Sequence, residues 1–210
     1  MNNVKNILVL APHPDDAEFG SGACLHRWNK EGKHIFIATF SPCKKSLPEG
    51  QKDVLYDEMS ESLGKLGLDP NNVKHFDFPV REFPKYRQEI LEELILLRKE
   101  INPDLILVPA SFDIHQDHQI IHQEGLRAFK NRKVLGYELP WNTISSTINY
   151  RVKVEEQDLK AKESAAACYS SQSHRTYTQS GFFKSLATIR GVQSGTEYAE
   201  GFELIVWNED

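Results

Sequence analysis

Residues 6–22 read "NILVLAPHPDDAEFGSG": an apolar run, a proline-flanked histidine, two adjacent carboxylates, and the start of a helix. Residues 6–10 fit a strand buried on both faces, because a strand of a parallel sheet covered by helices is continuously apolar rather than alternating. The helix is expected over residues 19–31, with Leu25 and Trp28 on one face and Gly32 closing it. Strand, polar turn and helix in this order form the opening unit of an α/β domain. Asp15 and Asp16 repel each other at such a turn, so water, a helix N-terminus or a cation must compensate them.

The same alternation continues along the chain. "HIFIATF" (34–40) is expected as a second strand, rich in β-branched and aromatic residues. A turn-rich segment, "SPCKKSLPEG" (41–50), is long enough to be a site loop. Helices are expected near 52–65 and 85–100, a short strand in "VKHFDFP" and a buried strand in "DLILVP" (104–109). Then come the polar "SFDIHQDHQ", a helix in "IIHQEGLRAFK", a strand in "KVLGYEL", a helix in "VEEQDLKAKESAAACY" and a late strand in "FELIVW" (202–207). The expectation is one domain over residues 1–210, a Rossmann-like three-layer sandwich with a mostly parallel central sheet.

Composition excludes several classes. Of the 210 residues 26% are charged, with Lys plus Arg at 25 against Asp plus Glu at 30, and the formal charge of −5 gives no footprint for nucleic acid. Cys24, Cys43 and Cys168 are far apart and form no CxxC pair, which argues against a disulfide framework or a cysteine zinc site. The apolar run at the start is too short for a membrane span and carries no cleavage pattern, so the expected location is cytoplasmic. The sequence leaves a homo-oligomer open.

Two clusters carry the candidate chemistry, His13–Asp16 and His115–His118. Each follows a strand, and sites of open α/β sheets form beyond the carboxyl ends of strands. Pro12 and Pro14 stiffen the backbone around His13. Adjacent side chains diverge, so one of Asp15 and Asp16 suits a metal and the other a base. His115 and His118, three apart, suit one side of a helix start; spacing does not choose between them as a ligand. Imidazole and carboxylate together suit a divalent transition metal, zinc above all, with a position left for water. Taken singly, "HPDD" is equally explained by a helix cap and "HQDHQ" by a solvated helix start. Their shared position after buried strands favours a site.

"APHPDDAEFGSG" (11–22) and "HQDH" (115–118), followed by "CYSSQ" (168–172) and "RGVQSGTEYAEGFEL" (190–204), resemble the PIG-L/LmbE-like metal-dependent N-acetylglucosaminyl deacetylases. The resemblance implies His13, Asp16 and His118 as zinc ligands, and Asp15 as the general base acting on metal-bound water. It implies His115 as oxyanion stabiliser or acid and Asp117 as a group tuning a histidine. It further implies hydrolysis of an N-acetyl group from an N-acetylglucosamine-type amino sugar or conjugate, a small-molecule substrate. A metal-dependent esterase or phosphoesterase and a non-catalytic metal- or sugar-binding module are the alternatives. Many relatives carry Thr-x-Gly-Asp/Glu after the second strand, where this chain has "TFSPCKK".

Other residues are less telling. Lys44, Lys45 and Arg81 could meet an anionic group or merely be solvated. Trp141 could stack on a sugar or pack as an ordinary aromatic, and Arg190 with Glu200 could form an ion pair near the site or neither. His122 reads as a helix-surface residue; His26, His34, His75 and His174 show no companion carboxylate. "GSG" (20–22) lacks the third glycine of a dinucleotide fingerprint, since Leu25 stands there.

Overall fold

In the computed structural model, residues 1, 3–47, 53–179 and 181–208 are described. Along the chain run β1 (Asn6–Ala11), α1 (Asp16–Lys30), β2 (His34–Thr39), α2 (Val54–Lys65), β3 (Val73–His75), α3 (Arg87–Ile101) and β4 (Leu105–Pro109). They are followed by α4 (Gln116–Phe129), β5 (Lys133–Tyr137), β6 (Tyr150–Val154), α5 (Glu156–Ala166), α6 (Phe182–Val192) and β7 (Tyr198–Val206).

The strands form one sheet in the order β3-β2-β1-β4-β5-β7-β6. The first five are parallel; β7 runs antiparallel to both β5 and β6. Parallel strands with helices on both faces are buried on both sides, which explains the continuous apolar run of β1. Ile7, Val9 and Ala11 join the core under α1, α2, α5 and α6, while Leu8 and Leu10 face the core under α3 and α4. This is the expected three-layer α/β sandwich with a mostly parallel sheet.

Strand order reverses between β1 and β4, which pair directly at Ile7↔Leu105, Leu8↔Ile106 and Val9↔Leu107. The helix after β1 covers one face and the helix after β4 the other, so a crevice opens at their carboxyl ends. Both polar clusters follow these two strands, which brings them together across it.

Several boundaries differ from the sequence reading. Helix α1 begins at Asp16, three residues before the expected Phe19, and α4 begins at Gln116, before the apolar run at Ile120. Both first turns are polar, so hydrophobic periodicity does not register them. Of the helix expected near 52–65, Lys52 lies outside the described residues, as do residues 48–50 of the 41–50 loop. Strand β6 and helix α6 were not anticipated. The "YRVKV" of β6 is a partly exposed edge strand, and α6 starts from Gly181 at φ 85 with no side-chain cap. No helix among the described residues is long and apolar enough to cross a membrane.

Gly20 shows how tightly α1 sits on the sheet. A Cβ there would lie 2.4 Å from the Tyr137 ring, and the Tyr137 hydroxyl is tied to the Leu10 carbonyl at 3.0 Å. Gly20→Ala is therefore expected to destabilise the fold by about 1–3 kcal/mol in denaturant unfolding, the usual range for overpacking. A variant as stable as the parent would show that Tyr137 moves freely.

Candidate functional site

The turn after β1 is held by its own side chains. The His13 backbone N–H donates to Asp16 Oδ2 at 2.8 Å, closing a tight loop over Pro14 and Asp15. Asp15 occupies the N-cap position of α1 but makes no side-chain capping bond, so capping does not account for its carboxylate. After β4, Asp113 accepts the His115 backbone N–H at 2.8 Å, and His115 caps α4 by accepting the Asp117 N–H on Nδ1 at 3.2 Å.

Across the crevice, three atoms converge. His13 Nδ1 lies 3.2 Å from Asp16 Oδ2, His118 Nε2 lies 3.3 Å from the same oxygen, and the two ring nitrogens are 3.2 Å apart. The far side of each ring rests on a carboxylate: His13 Nε2 is 3.2 Å from Asp117 Oδ2, and His118 Nδ1 is 2.7 Å from Asp113 Oδ2. Those carboxylates suit the far ring N–H groups, so that a cation displacing the second ring protons would meet lone pairs on His13 Nδ1 and His118 Nε2, the two converging atoms. His115 stands beside them, with ligand atoms of His13, His115 and His118 all within 4.8 Å of one another.

The sequence reading had singled out His13, Asp15, Asp16, His115, Asp117 and His118, and the fold gathers all six. It did not single out Asp113, although that residue lies within the quoted "SFDIHQDHQ". Its partner is five residues on, across the turn into α4, a spacing that no helical or strand pattern marks.

Burial opposes charge at every one of these groups, and electrostatics decides which remain ionised. For His13 burial favours the neutral ring, but Asp16 and the bond to Asp117 outweigh it and lift the pKa to about 9. His118 is similarly disfavoured by burial and raised by Asp16 and Asp113, to about 10. Burial pushes Asp16 upward, yet His118 and His13 hold it well below the carboxylate range. Asp15 has no such compensation: burial and then the Asp16 charge raise it to about 6. For His115 burial and its two histidine neighbours act together and lower it to about 4, so this ring is neutral at pH 7. With Nδ1 accepting, its proton sits on Nε2.

These residues open into a cleft of about 660 Å³, lined also by Cys43, Arg81, Trp141, His174, Arg175 and Tyr177. Trp141 and Tyr177 stack with ring centroids 3.8 Å apart and planes at 13°. Cys43, in the loop that departs from the family pattern, adopts φ 58, a left-handed conformation that ordinarily favours glycine. Burial, with Asp15 and Asp16 nearby, raises its thiol above the usual range, so it stays protonated.

Of the two outcomes left open for Arg190 and Glu200, the structure shows no mutual pair: Arg190 binds Glu138 at 2.6 Å and Glu200 binds Lys162 at 2.6 Å, because neighbouring elements offer each a nearer partner. His26 does have a companion carboxylate, Asp158, at 2.8 Å across the α1–α5 contact. Lys44 and Lys45 are each neutralised, by Asp77 and Glu82.

Comparison with known proteins gives the site its relatives. A family profile described as PIG-L, GlcNAc-PI de-N-acetylase, matches residues 8–129. The chain belongs to the PIG-L family. A diacetylchitobiose deacetylase of Thermococcus kodakarensis is 23% identical over 229 residues, covering 97% of this chain and 84% of the relative. Among solved structures, the zinc-inhibited form of the teicoplanin deacetylase Orf2 superposes with a TM-score of 0.79 at 18% identity, covering 98% of this chain and all of that one. GalB, the 4-carboxy-2-hydroxymuconate hydratase from Pseudomonas putida KT2440, superposes with a TM-score of 0.75 at 16% identity, covering 98% of each chain. At such identities the structural likeness establishes the fold alone, and the fold serves more than one reaction.

Glu18 of this PIG-L chain lies buried behind the first cluster. The Tyr169 hydroxyl is 2.7 Å from both the Pro14 carbonyl and Glu18 Oε1. A hydroxyl has one hydrogen and a carbonyl has none to give, so with Tyr169 donating to Pro14, Glu18 donates as a neutral acid. Burial agrees, raising Glu18 from 4.5 to about 8. The folded protein thus binds more protons than the unfolded one between those values, and stability falls as pH rises through that window. Glu18→Gln keeps a donor without titrating. Its melting temperature relative to the parent is expected to be higher near pH 8 than near pH 5; an equal difference at both would contradict a buried neutral acid.

Proposed function

We propose that this protein is a zinc-dependent amide hydrolase that removes an N-acetyl group from an N-acetylglucosamine-type amino sugar or its conjugate, with His13, Asp16 and His118 holding the metal. The observation that carries this reading is the convergence of His13 Nδ1, Asp16 Oδ2 and His118 Nε2 at 3.2–3.3 Å. Ligand atoms about 2.0–2.1 Å from a tetrahedral zinc ion are separated by about 3.3–3.4 Å, so the three atoms are spaced as a zinc ligand face. His115 Nδ1 is engaged by the Asp117 N–H, which favours His118 over His115 as the second histidine ligand. A zinc ion there supplies a Lewis acid and lowers the pKa of water from about 15.7 to roughly 7.

The remaining steps fall to the chain. Asp15, with a pKa raised to about 6 and no capping bond, takes the proton of the attacking water and passes it to the departing amine. His115, neutral and protonated on Nε2, donates to the oxygen of the attacked carbonyl as negative charge gathers there. Asp113 and Asp117 fix the tautomers and orientations of His118 and His13. Trp141 and Tyr177 offer an apolar ring surface on which the face of a sugar can stack. Membership of the PIG-L family, and the deacetylase activity named for the Thermococcus kodakarensis relative, favour an N-acetyl amino sugar as substrate.

The test is amine release from neutral N-acetylglucosaminides by protein as purified, stripped with a chelator, and reloaded with zinc. The expected result is turnover that is lost on stripping and restored by zinc; silence on amides with hydrolysis of carboxylate or phosphate esters would overturn the deacetylase reading. Asp15→Asn is expected to keep its zinc and lose about 10²–10⁴-fold in kcat, the usual worth of a general base. His118→Ala is expected to lose zinc, measured by elemental analysis. Metal loss in the first variant, or full retention in the second, would mean that ligand and base are wrongly assigned.

A further inference from the structure

The sequence contains nine arginines. Among the described residues, seven have a side-chain hydrogen bond of 3.1 Å or shorter, to a carboxylate, an amide or a carbonyl oxygen. The other two are Arg81 and Arg175. Arg81 makes only a 3.4 Å approach to the Lys45 carbonyl, and the Arg175 guanidinium has no hydrogen bond or ion pair among the described residues. Both line the cleft that holds the candidate metal ligands, as does His174.

Neither arginine sits on a loose backbone. Arg81 adopts φ 66, a conformation that a side-chain-bearing residue rarely takes. Its N–H donates to Asp117 Oδ2 at 2.6 Å, and its carbonyl accepts from Gln116 Nε2 at 3.2 Å. Strain held in place beside a site is a pointer to function. Arg175 lies in a segment fixed at its start by Glu58, whose buried carboxylate accepts the Ser170 hydroxyl and both the N–H and hydroxyl of Ser171, at 2.6–2.8 Å. The Arg175 N–H and carbonyl are also engaged, by Gln172 and Thr178. Two cations without counter-ions among the described residues are thus presented to one cleft from separate elements. Among the described residues, the carboxylates nearby do not pair with them: Asp15 lines the same cleft but forms no ion pair with either arginine. Asp16, Asp113 and Asp117 are taken up by histidines and backbone N–H groups, and Lys44 and Lys45 already neutralise Asp77 and Glu82.

We propose that the cleft takes a sugar conjugate bearing an anionic group, a phosphate ester or a carboxylate, and that Arg81 and Arg175 bind that group. The guanidinium fork matches both oxyanions in a bidentate manner, and a neutral glycoside would leave both forks to water. The sugar half of the ligand rests on the function proposed above; the anionic half rests on the arginines alone.

The test uses ligands without an amide, so that binding is read independently of turnover. Methyl α-glucoside, carboxymethyl α-glucoside and glucose 1-phosphate are titrated calorimetrically into the zinc-loaded protein. The expected result is affinity at least about tenfold higher for an anionic ligand than for the methyl glucoside, falling with added salt. Tighter binding of both anionic ligands indicates a general oxyanion subsite, and of the phosphate alone a phosphate-ester substrate. In Arg175→Met the preference is expected to shrink to about twofold or less, with Arg175→Lys intermediate. Equal affinity for all three ligands overturns the proposal. So does a preference that survives Arg175→Met and Arg81→Met together, since the anion would then be bound by the metal. Anion preference without deacetylation would leave the subsite standing and the enzymatic reading refuted; deacetylation without preference would do the reverse.

Discussion

Asp16 holds the site together. Its Oδ2 closes the turn after β1 by accepting the His13 N–H and simultaneously faces the ring nitrogens of His13 and His118. Behind those rings stand Asp113 and Asp117, both almost fully buried, with Asp15 half-buried at the side. Four carboxyl groups in so small a volume cost several kcal/mol per ion unless positive charge is brought among them. The raised pKa values of His13 and His118 express that demand, and a divalent cation meets it more completely than two protons. The rest of the site is built so that these charges stay where they are: two carboxylates rest against the far sides of the rings, a buried Glu18–Tyr169 pair supports the Pro14 carbonyl, and Asp16 and His118 lie in the first turns of α1 and α4, with His13 in the turn before α1.

The sheet makes the arrangement possible. Strands β1 and β4 are separated by nearly a hundred residues yet pair directly, and the strand order reverses between them. Each cluster needs only to follow its strand to arrive at the same crevice. Because the helices depart to opposite faces, neither covers the other's cluster, and the cleft stays open toward Trp141, Tyr177 and the 170–178 segment.

Much of this was legible in the sequence, for identifiable reasons. Runs such as "NILVLA" and "LILVP" are short, continuously apolar and rich in branched side chains, as strands covered on both faces must be, and polar residues directly after them mark the crevice. What periodicity misses is polar helix starts: α1 and α4 both begin earlier than their apolar faces, and Asp16 and His118 lie in those first turns. Asp113 escaped because its contact with His118 spans a turn rather than a helical repeat. For Arg190 and Glu200 the sequence leaves a mutual pair or none open, because their partners Glu138 and Lys162 reach them across elements. Edge strand β6 lacks the uninterrupted burial of the inner strands, and α6 follows Gly181 with no capping side chain to mark its start. Arg81 and Arg175 became informative only once every other arginine had a partner.

The central claim is that a cation lies between His13, Asp16 and His118. Anomalous diffraction from zinc-loaded crystals, collected on either side of the zinc edge, tests it directly. The account predicts one strong peak about 2.0–2.2 Å from His13 Nδ1, Asp16 Oδ2 and His118 Nε2, with Asp15 and His115 beyond bonding distance. A peak bonded to His115 in place of His118, or none at this position in protein that contains zinc by elemental analysis, would contradict it.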